Sequence, residues 1–225
     1  MNLPIIDLLS QNPIKVFERY RNPTYEEYMS GKYSLTTPVG EDEHLLFTAE
    51  QIAIWSIEHS GDVRGELEDR LRESEVFKAW REAMPNKVPD ALAVYRNSYV
   101  RADLDNVDSS IKSLGVNLTK GQVLYHGGYL VSGQLQRPLS TTFCPEVARQ
   151  EALWAGKADA VGSVNIYIIR INSNSIGTYV YNLNANHGDE LEVLLASGGV
   201  LTIDEIRCSR EYNGHMYQVI SAHLT

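Results

Sequence analysis

An α+β fold is predicted, helices first and strands after, from three observations. A capping signal and helical periodicity begin at Thr48 and continue to about Leu114. From Val123 onward the chain becomes a succession of short β-prone runs separated by turns, and three polar constellations sit on or at the ends of those runs. At 225 residues the chain can bury a full core. One domain with a helical extension is expected: residues 1–44 as an irregular leader and 45–225 as a single domain, helical over 45–118 and β-rich over 119–225.

Residues 1–44 are rich in Pro, Tyr, Asn and charge and hold no sustained period, so they read as irregular structure with one short helix, or as a partly flexible leader. The segment from Met1 to Leu9 lacks the basic start and long apolar core of a secretory signal, and no apolar run approaches bilayer length. The expectation is a protein used in the cytoplasm that makes it, or one exported without a cleavable signal, as injected effectors are. Thr48-Ala49-Glu50-Gln51 fits a capping box ahead of the apolar Ile52, Ile54, Trp55 and Ile57. A second helix is expected from near Asp62 to Pro85, with Leu67, Leu71, Phe77, Trp80 and Met84 on its inner face. Its acids and arginines, three and four residues apart, read as a solvated face. Asp90 to Arg96 and Val107 to Leu114 complete the helical part.

In the second half, Val123 to Tyr129 reads as a short buried strand ending in the pair Gly127-Gly128, which would let a ligand approach the backbone. Leu139 to Phe143 is a second β-prone segment, followed by Cys144-Pro145, with proline suited to the first turn of a helix reaching about Trp154. Val164 to Ile171 is a near-continuous β-prone run, followed by Thr178 to Tyr181, a strand after Asp189, Val200 to Ile203 and Met216 to Ile220. Asn182 to Gly188 is a turn-rich loop.

The polar constellations are Tyr125-His126-Gly127, Ser140-Thr141-Thr142 and Glu190-Leu191-Glu192, in that order. Side chains alternate along a strand, so extended backbone would put Glu190 and Glu192 on one side and Leu191, Val193 and Leu195 on the other. Two carboxylates so placed suit a site that expects a cation or a substrate's positive charge. The other reading is a solvated edge strand with two exposed acids.

These three motifs, in this order, resemble the mono-ADP-ribosyltransferase family, NAD-using enzymes common among bacterial toxins, effectors and phage proteins. The resemblance covers about residues 121–225 and implies a helical part packed on an ADP-ribosyltransferase-like sheet sandwich. It implies that Glu192 is the catalytic glutamate, hydrogen-bonded to the nicotinamide ribose and stabilising an oxocarbenium ion. A carboxylate beside developing positive charge in a poorly solvated cleft is the right group for that task. It implies that Ser140 orients Glu192, that Thr141 and Thr142 help hold the strand at the cleft, and that Glu190 meets an arginine acceptor, whose planar guanidinium suits a carboxylate. Tyr125, His126 and Gly127 would join Ser140, Thr141 and Thr142 in binding NAD, consumed as a substrate, and Tyr179 and Tyr181 would flank the acceptor protein.

His126 departs from the pattern. The branch with Ser-Thr-Thr and Glu-x-Glu usually carries Arg in the first motif, whereas a His there belongs to the diphtheria-toxin-like branch. A neutral imidazole can donate to a ribose or phosphate oxygen but lacks the fixed charge that grips pyrophosphate. Either another cation, such as Arg137 or Arg149, would then supply it, or affinity for NAD would be weaker. The alternative is a core histidine satisfied by a backbone carbonyl.

The formal charge of −9, from 29 acidic and 20 basic residues, argues against a nonspecific nucleic-acid surface and favours a basic protein target. Cys144 and Cys208 give no decision on pairing, and nothing has metal-ligand spacing. Besides protein modification, two further functions fit these residues: NAD hydrolysis without transfer, and a noncatalytic partner-binding module on the same fold.

Overall fold

A computed structural model describes residues 1–9, 12–17, 43–59, 62–181 and 191–225. It shows an α+β chain with the helices ahead of the main sheet, as the sequence predicts. The capping box at Thr48 forms in full: the Thr48 hydroxyl accepts from the Gln51 N–H at 3.1 Å, and the Gln51 side chain accepts from the Thr48 N–H at 3.2 Å. It opens helix α1, Ala49–Glu58. The long helix expected from Asp62 is instead two, α2 (Asp62–Glu73) and α3 (Glu75–Glu82). Ser74 breaks it by leaving helical angles and capping the second piece, its hydroxyl accepting from the Phe77 N–H. All five apolar residues assigned to the inner face, Leu67, Leu71, Phe77, Trp80 and Met84, are buried. Helices α4 (Asp90–Asn97) and α5 (Leu104–Ser113) follow.

The described part of the leader holds a strand as well as irregular chain. Ile14–Phe17 forms strand β1, paired antiparallel with β2, Glu43–Leu46, which crosses the expected boundary at residue 44. Leu3, Ile14 and Val16 lie in the core because the helical half buries them. Gln122 holds Ile6 by both its backbone groups, and the Trp80 indole donates to the Pro4 carbonyl at 2.7 Å. Arg70, expected on a solvated face, instead donates to the carbonyls of Leu8, Asn12 and Pro13 while keeping its bond to Glu66. A guanidinium offers five donors, and a turn of carbonyls satisfies more of them than one carboxylate can. Residues 10–11 and 18–42 lie outside the described part.

The main sheet has eight strands in the order β4-β9-β10-β6-β3-β5-β8-β7. Its members are β3 (Val123–Gly127), β4 (Gly133–Gln134), β5 (Leu139–Thr142), β6 (Val164–Ile171), β7 (Thr178–Val180), β8 (Glu192–Leu195), β9 (Val200–Tyr212) and β10 (His215–Leu224). β10 runs parallel to β6, and the other pairings are antiparallel. β3 and β5 share one registered pair, Tyr125 with Thr142, so the sheet divides there into two halves meeting at a seam. The two last strands are much longer than the sequence suggests, because Asn213-Gly214, both at positive φ, turn the chain tightly into a hairpin.

Helix α6, Pro145–Leu153, crosses the seam and joins it to the helical half. It packs so close to β3 that a Cβ on Gly127 would stand 1.6 Å from the Ala148 carbonyl oxygen. The expected close approach at this glycine is real, but helix backbone makes it and not a ligand. Buried Glu146 of α6 accepts from the Val63 N–H at the start of α2, and Arg149 donates to the Ser56 and Ile57 carbonyls at the end of α1. An anion at a helix start and a cation at a helix end each meet the favourable pole of the helix dipole. Short helix α7, Lys157–Val161, leads into β6. Among the described residues no helix is long and apolar enough to cross a membrane. Cys144 and Cys208 are both free thiols, and burial pushes that of Cys144 up to about 12.

Candidate active site at the seam of the sheet

The seam brings one residue from each polar constellation into a single hydrogen-bonded chain. The Ser140 hydroxyl on β5 donates to Glu192 Oε1 on β8 at 2.7 Å, and His126 Nδ1 on β3 lies 2.7 Å from the Ser140 carbonyl. A carbonyl only accepts, so Nδ1 carries the proton. Register makes this possible: β5 and β8 pair Ser140 with Leu194 and Thr142 with Glu192, which leaves Ser140 diagonal to the carboxylate on the same face. The His126–Ser140 contact adds a side-chain link between β3 and β5 beside the Tyr125–Thr142 pair.

Burial is the main cause that lowers the His126 pKa from its ordinary value to about 4. The Ser140 carbonyl opposes that shift, while the charges of Lys157 and Arg137 add to it. The ring is therefore neutral at pH 7, with its N–H committed to Ser140 and Nε2 left as an acceptor. The expectation that His126 donates to ribose or phosphate is corrected on that ground; Nε2 can accept from a ribose hydroxyl but offers a phosphate nothing. The carbonyl partner is the one named in the alternative reading, although the ring remains only half-buried.

Acidification tests this protonation state. Because the folded-state pKa lies below the ordinary 6.5, the unfolded chain binds a proton between about pH 6.5 and 4 that the folded chain does not. Stability from this group is complete above pH 6.5 and lost as pH falls through the folded value, by roughly 1 to 3 kcal/mol. In denaturant unfolding, the wild-type protein should lose that much relative to His126→Gln between pH 7 and pH 4. A constant gap would mean that the ring is not held neutral.

The remaining residues separate into groups. Thr141 and Thr142 are buried; the Thr141 hydroxyl donates to the Val193 carbonyl at 2.6 Å, tying β5 to β8, and the Thr142 hydroxyl accepts from the Cys144 N–H at the head of α6. Tyr125 turns away from His126 into the helical half, where its hydroxyl donates to the Ala49 carbonyl at 3.1 Å. Tyr179 and Tyr181 are buried and meet edge to face, ring centres 5.0 Å apart, with the Tyr181 hydroxyl on the Leu92 carbonyl of α4. Both stand inside the protein, not on a surface facing an acceptor. Arg149, read as a source of phosphate charge, is engaged at the end of α1, since the last carbonyls of a helix lack partners within it. Arg137 is exposed beside the site.

Glu190, with the loop 182–189, lies outside the described residues. The backbone next to it bears on the alternation argument. Leu191 has φ 50°, a left-handed conformation that strains a branched side chain, and β8 begins only at Glu192. The extended backbone that would put Glu190 on the face of Glu192 is interrupted at Leu191. Sequence reasoning also missed Arg96 of α4, whose guanidinium carbon sits 4.4 Å from the Tyr181 ring centre. An arginine near the end of a helix carries no signal of such a place.

Among solved structures, this chain is similar to ADP-ribosyltransferase toxins. The Vis toxin of Vibrio splendidus matches at a TM-score of 0.47 and 19% identity, over 76% of this chain and 88% of that one. Plx2a of Paenibacillus larvae matches at 0.48 and 12%, over 72% and 96%, and the Clostridium limosum C3 exoenzyme at 0.45 and 12%, over 75% and 96%. No family model and no curated protein matches the sequence. What the site can do follows from its own residues.

Proposed function

We propose that the protein is a mono-ADP-ribosyltransferase, which cleaves NAD at the bond between nicotinamide and ribose and transfers ADP-ribose to a protein side chain, with arginine as the acceptor. The observation that carries this reading is the Ser140–Glu192 hydrogen bond, with His126 fastened to the same serine. When the glycosidic bond breaks, its electron pair leaves with nicotinamide and the ribose carbon becomes an oxocarbenium centre. A half-buried carboxylate held still by a hydroxyl donor meets that charge without having to reorganise. The acceptor nitrogen then forms the new bond to the ribose carbon and gives up its proton. The neutral Nε2 of His126 suits a ribose hydroxyl, to which it offers an acceptor.

Glu190 has the separate role of holding the acceptor's guanidinium. Glu190→Gln should lose transfer to protein while keeping much of the slow hydrolysis of NAD, because water needs no guanidinium site. Incubation of the purified protein with NAD and an arginine-rich acceptor, followed by intact mass and nicotinamide release, measures both activities. Equal loss of the two would remove the arginine assignment. A wild-type protein that consumes no NAD would remove the transferase reading itself.

A further inference from the structure

We infer that Arg96 of α4 is the cation that holds a phosphate of the bound NAD, in place of the first-motif arginine that this chain lacks. The inference rests on the transferase reading. β7 and β8 pair Val180 with Val193, so the next residues of the two strands, Tyr181 and Glu192, come opposite each other, with side chains directed to one face. Arg96 lies over the ring of Tyr181, its guanidinium carbon 4.4 Å from the centre, which places a fixed positive charge one ring away from the candidate catalytic carboxylate.

That ring is held from three directions. The Tyr181 hydroxyl donates to the Leu92 carbonyl, one helical turn before Arg96 on the same helix; Tyr179 meets it edge to face; and the guanidinium covers a face. α4 thereby fixes both the aromatic platform and the cation on it. Among the described residues Arg96 Nε is buried and has no hydrogen-bond partner, and a buried donor left in that state is a place where an acceptor is missing. A planar fork of N–H groups matches two oxygens of a phosphate, a geometry that an ammonium cannot reproduce.

The other charges near the site are less suited to the task. Arg149 has its Nη1 on the carbonyls that end α1, away from Tyr181, His126 offers a phosphate only a lone pair, and Lys157 is an exposed side chain beside Glu151. Arg137 is exposed on the loop before β5. Arg96 is half-buried, so its guanidinium is already partly stripped of water before an anion arrives.

Calorimetric titration with NAD at low and high salt, on the wild-type protein, Arg96→Gln and Arg96→Lys, tests the assignment. Loss of a charge-assisted hydrogen bond should raise the dissociation constant of Arg96→Gln about ten- to a hundredfold and flatten its salt dependence. Arg96→Lys should keep the salt dependence but recover only part of the affinity, since the charge remains and the fork does not. Melting curves report whether each variant is folded. A folded Arg96→Gln protein with wild-type affinity and salt slope would overturn the inference and reduce Arg96 to a packing partner of Tyr181. Should Arg96→Gln fail to fold, an Arg96→Lys protein with unchanged affinity would overturn it equally. Absence of NAD binding by the wild type would instead sink the transferase reading on which the inference stands.

Discussion

Glu192→Gln is expected to abolish both ADP-ribose transfer and NAD hydrolysis while leaving the protein folded. The amide keeps an oxygen for the Ser140 hydroxyl, so the link between β5 and β8 survives the exchange. Charge is what disappears, and a neutral amide cannot stabilise an oxocarbenium ion. One positioned charged group is worth about 2 to 4 kcal/mol of barrier, so nicotinamide release should fall on the order of a hundredfold or more. Binding of NAD should change far less than turnover, because the charge on the ribose appears only as the bond breaks. Nicotinamide release and thermal melting, measured together, check this. A folded Glu192→Gln protein with near-normal NAD cleavage would show that the carboxylate is not the catalytic group.

Gly127→Ala should cost more stability than the same change at any other described glycine. Its Cβ would sit 1.6 Å from the Ala148 carbonyl oxygen, 2.5 Å from the Ala148 carbonyl carbon and 3.0 Å from the Ala152 nitrogen. All three atoms are backbone of α6, so no side chain can turn aside and the helix itself must move off β3. A cost of more than about 3 kcal/mol is expected, beyond the usual range for an overpacked core, because the clash is with hydrogen-bonded backbone. Displacement of α6 would also pull Glu146 from α2 and Arg149 from α1, so the loss should appear as cooperative unfolding of both halves. Urea unfolding followed by tryptophan fluorescence measures it. A Gly127→Ala protein within about 1 kcal/mol of wild type would mean that α6 does not pack on β3 as described.

Much of the fold is local, and that part was legible. Val164 to Ile171 forms β6 with the predicted bounds, since its β-branched and aromatic side chains suit a pleated, largely buried surface. The capping box at Thr48 and the proline at the head of α6 act within one helical turn, and both appear where the sequence puts them. The break at Ser74 was open to the same reasoning, because Ser74 is a good cap and Phe77 begins a new buried face. Ser140 and Glu192 were legible as a pair through resemblance alone. They are 52 residues apart, and nothing local fixes their contact.

What only the tertiary structure decided depends on which unpaired backbone groups each side chain meets. Arg149 looked like a cation free for phosphate, yet its Nη1 is taken up by the carbonyls that end α1. Arg70 and Glu146 are taken up in the same way by the leader's carbonyls and by the start of α2. Gly127 kept its predicted property, close approach, and changed its partner from ligand to helix. Leu191, at positive φ, interrupts the extended backbone just ahead of Glu192. His126 shows the division most directly. The sequence by itself determined that an imidazole, and not a guanidinium, follows Tyr125. The crossing of β3 and β5 decided that its proton goes to the Ser140 carbonyl, and burial at that crossing keeps the ring neutral, because a charge there would lose its water and face the like charges of Lys157 and Arg137.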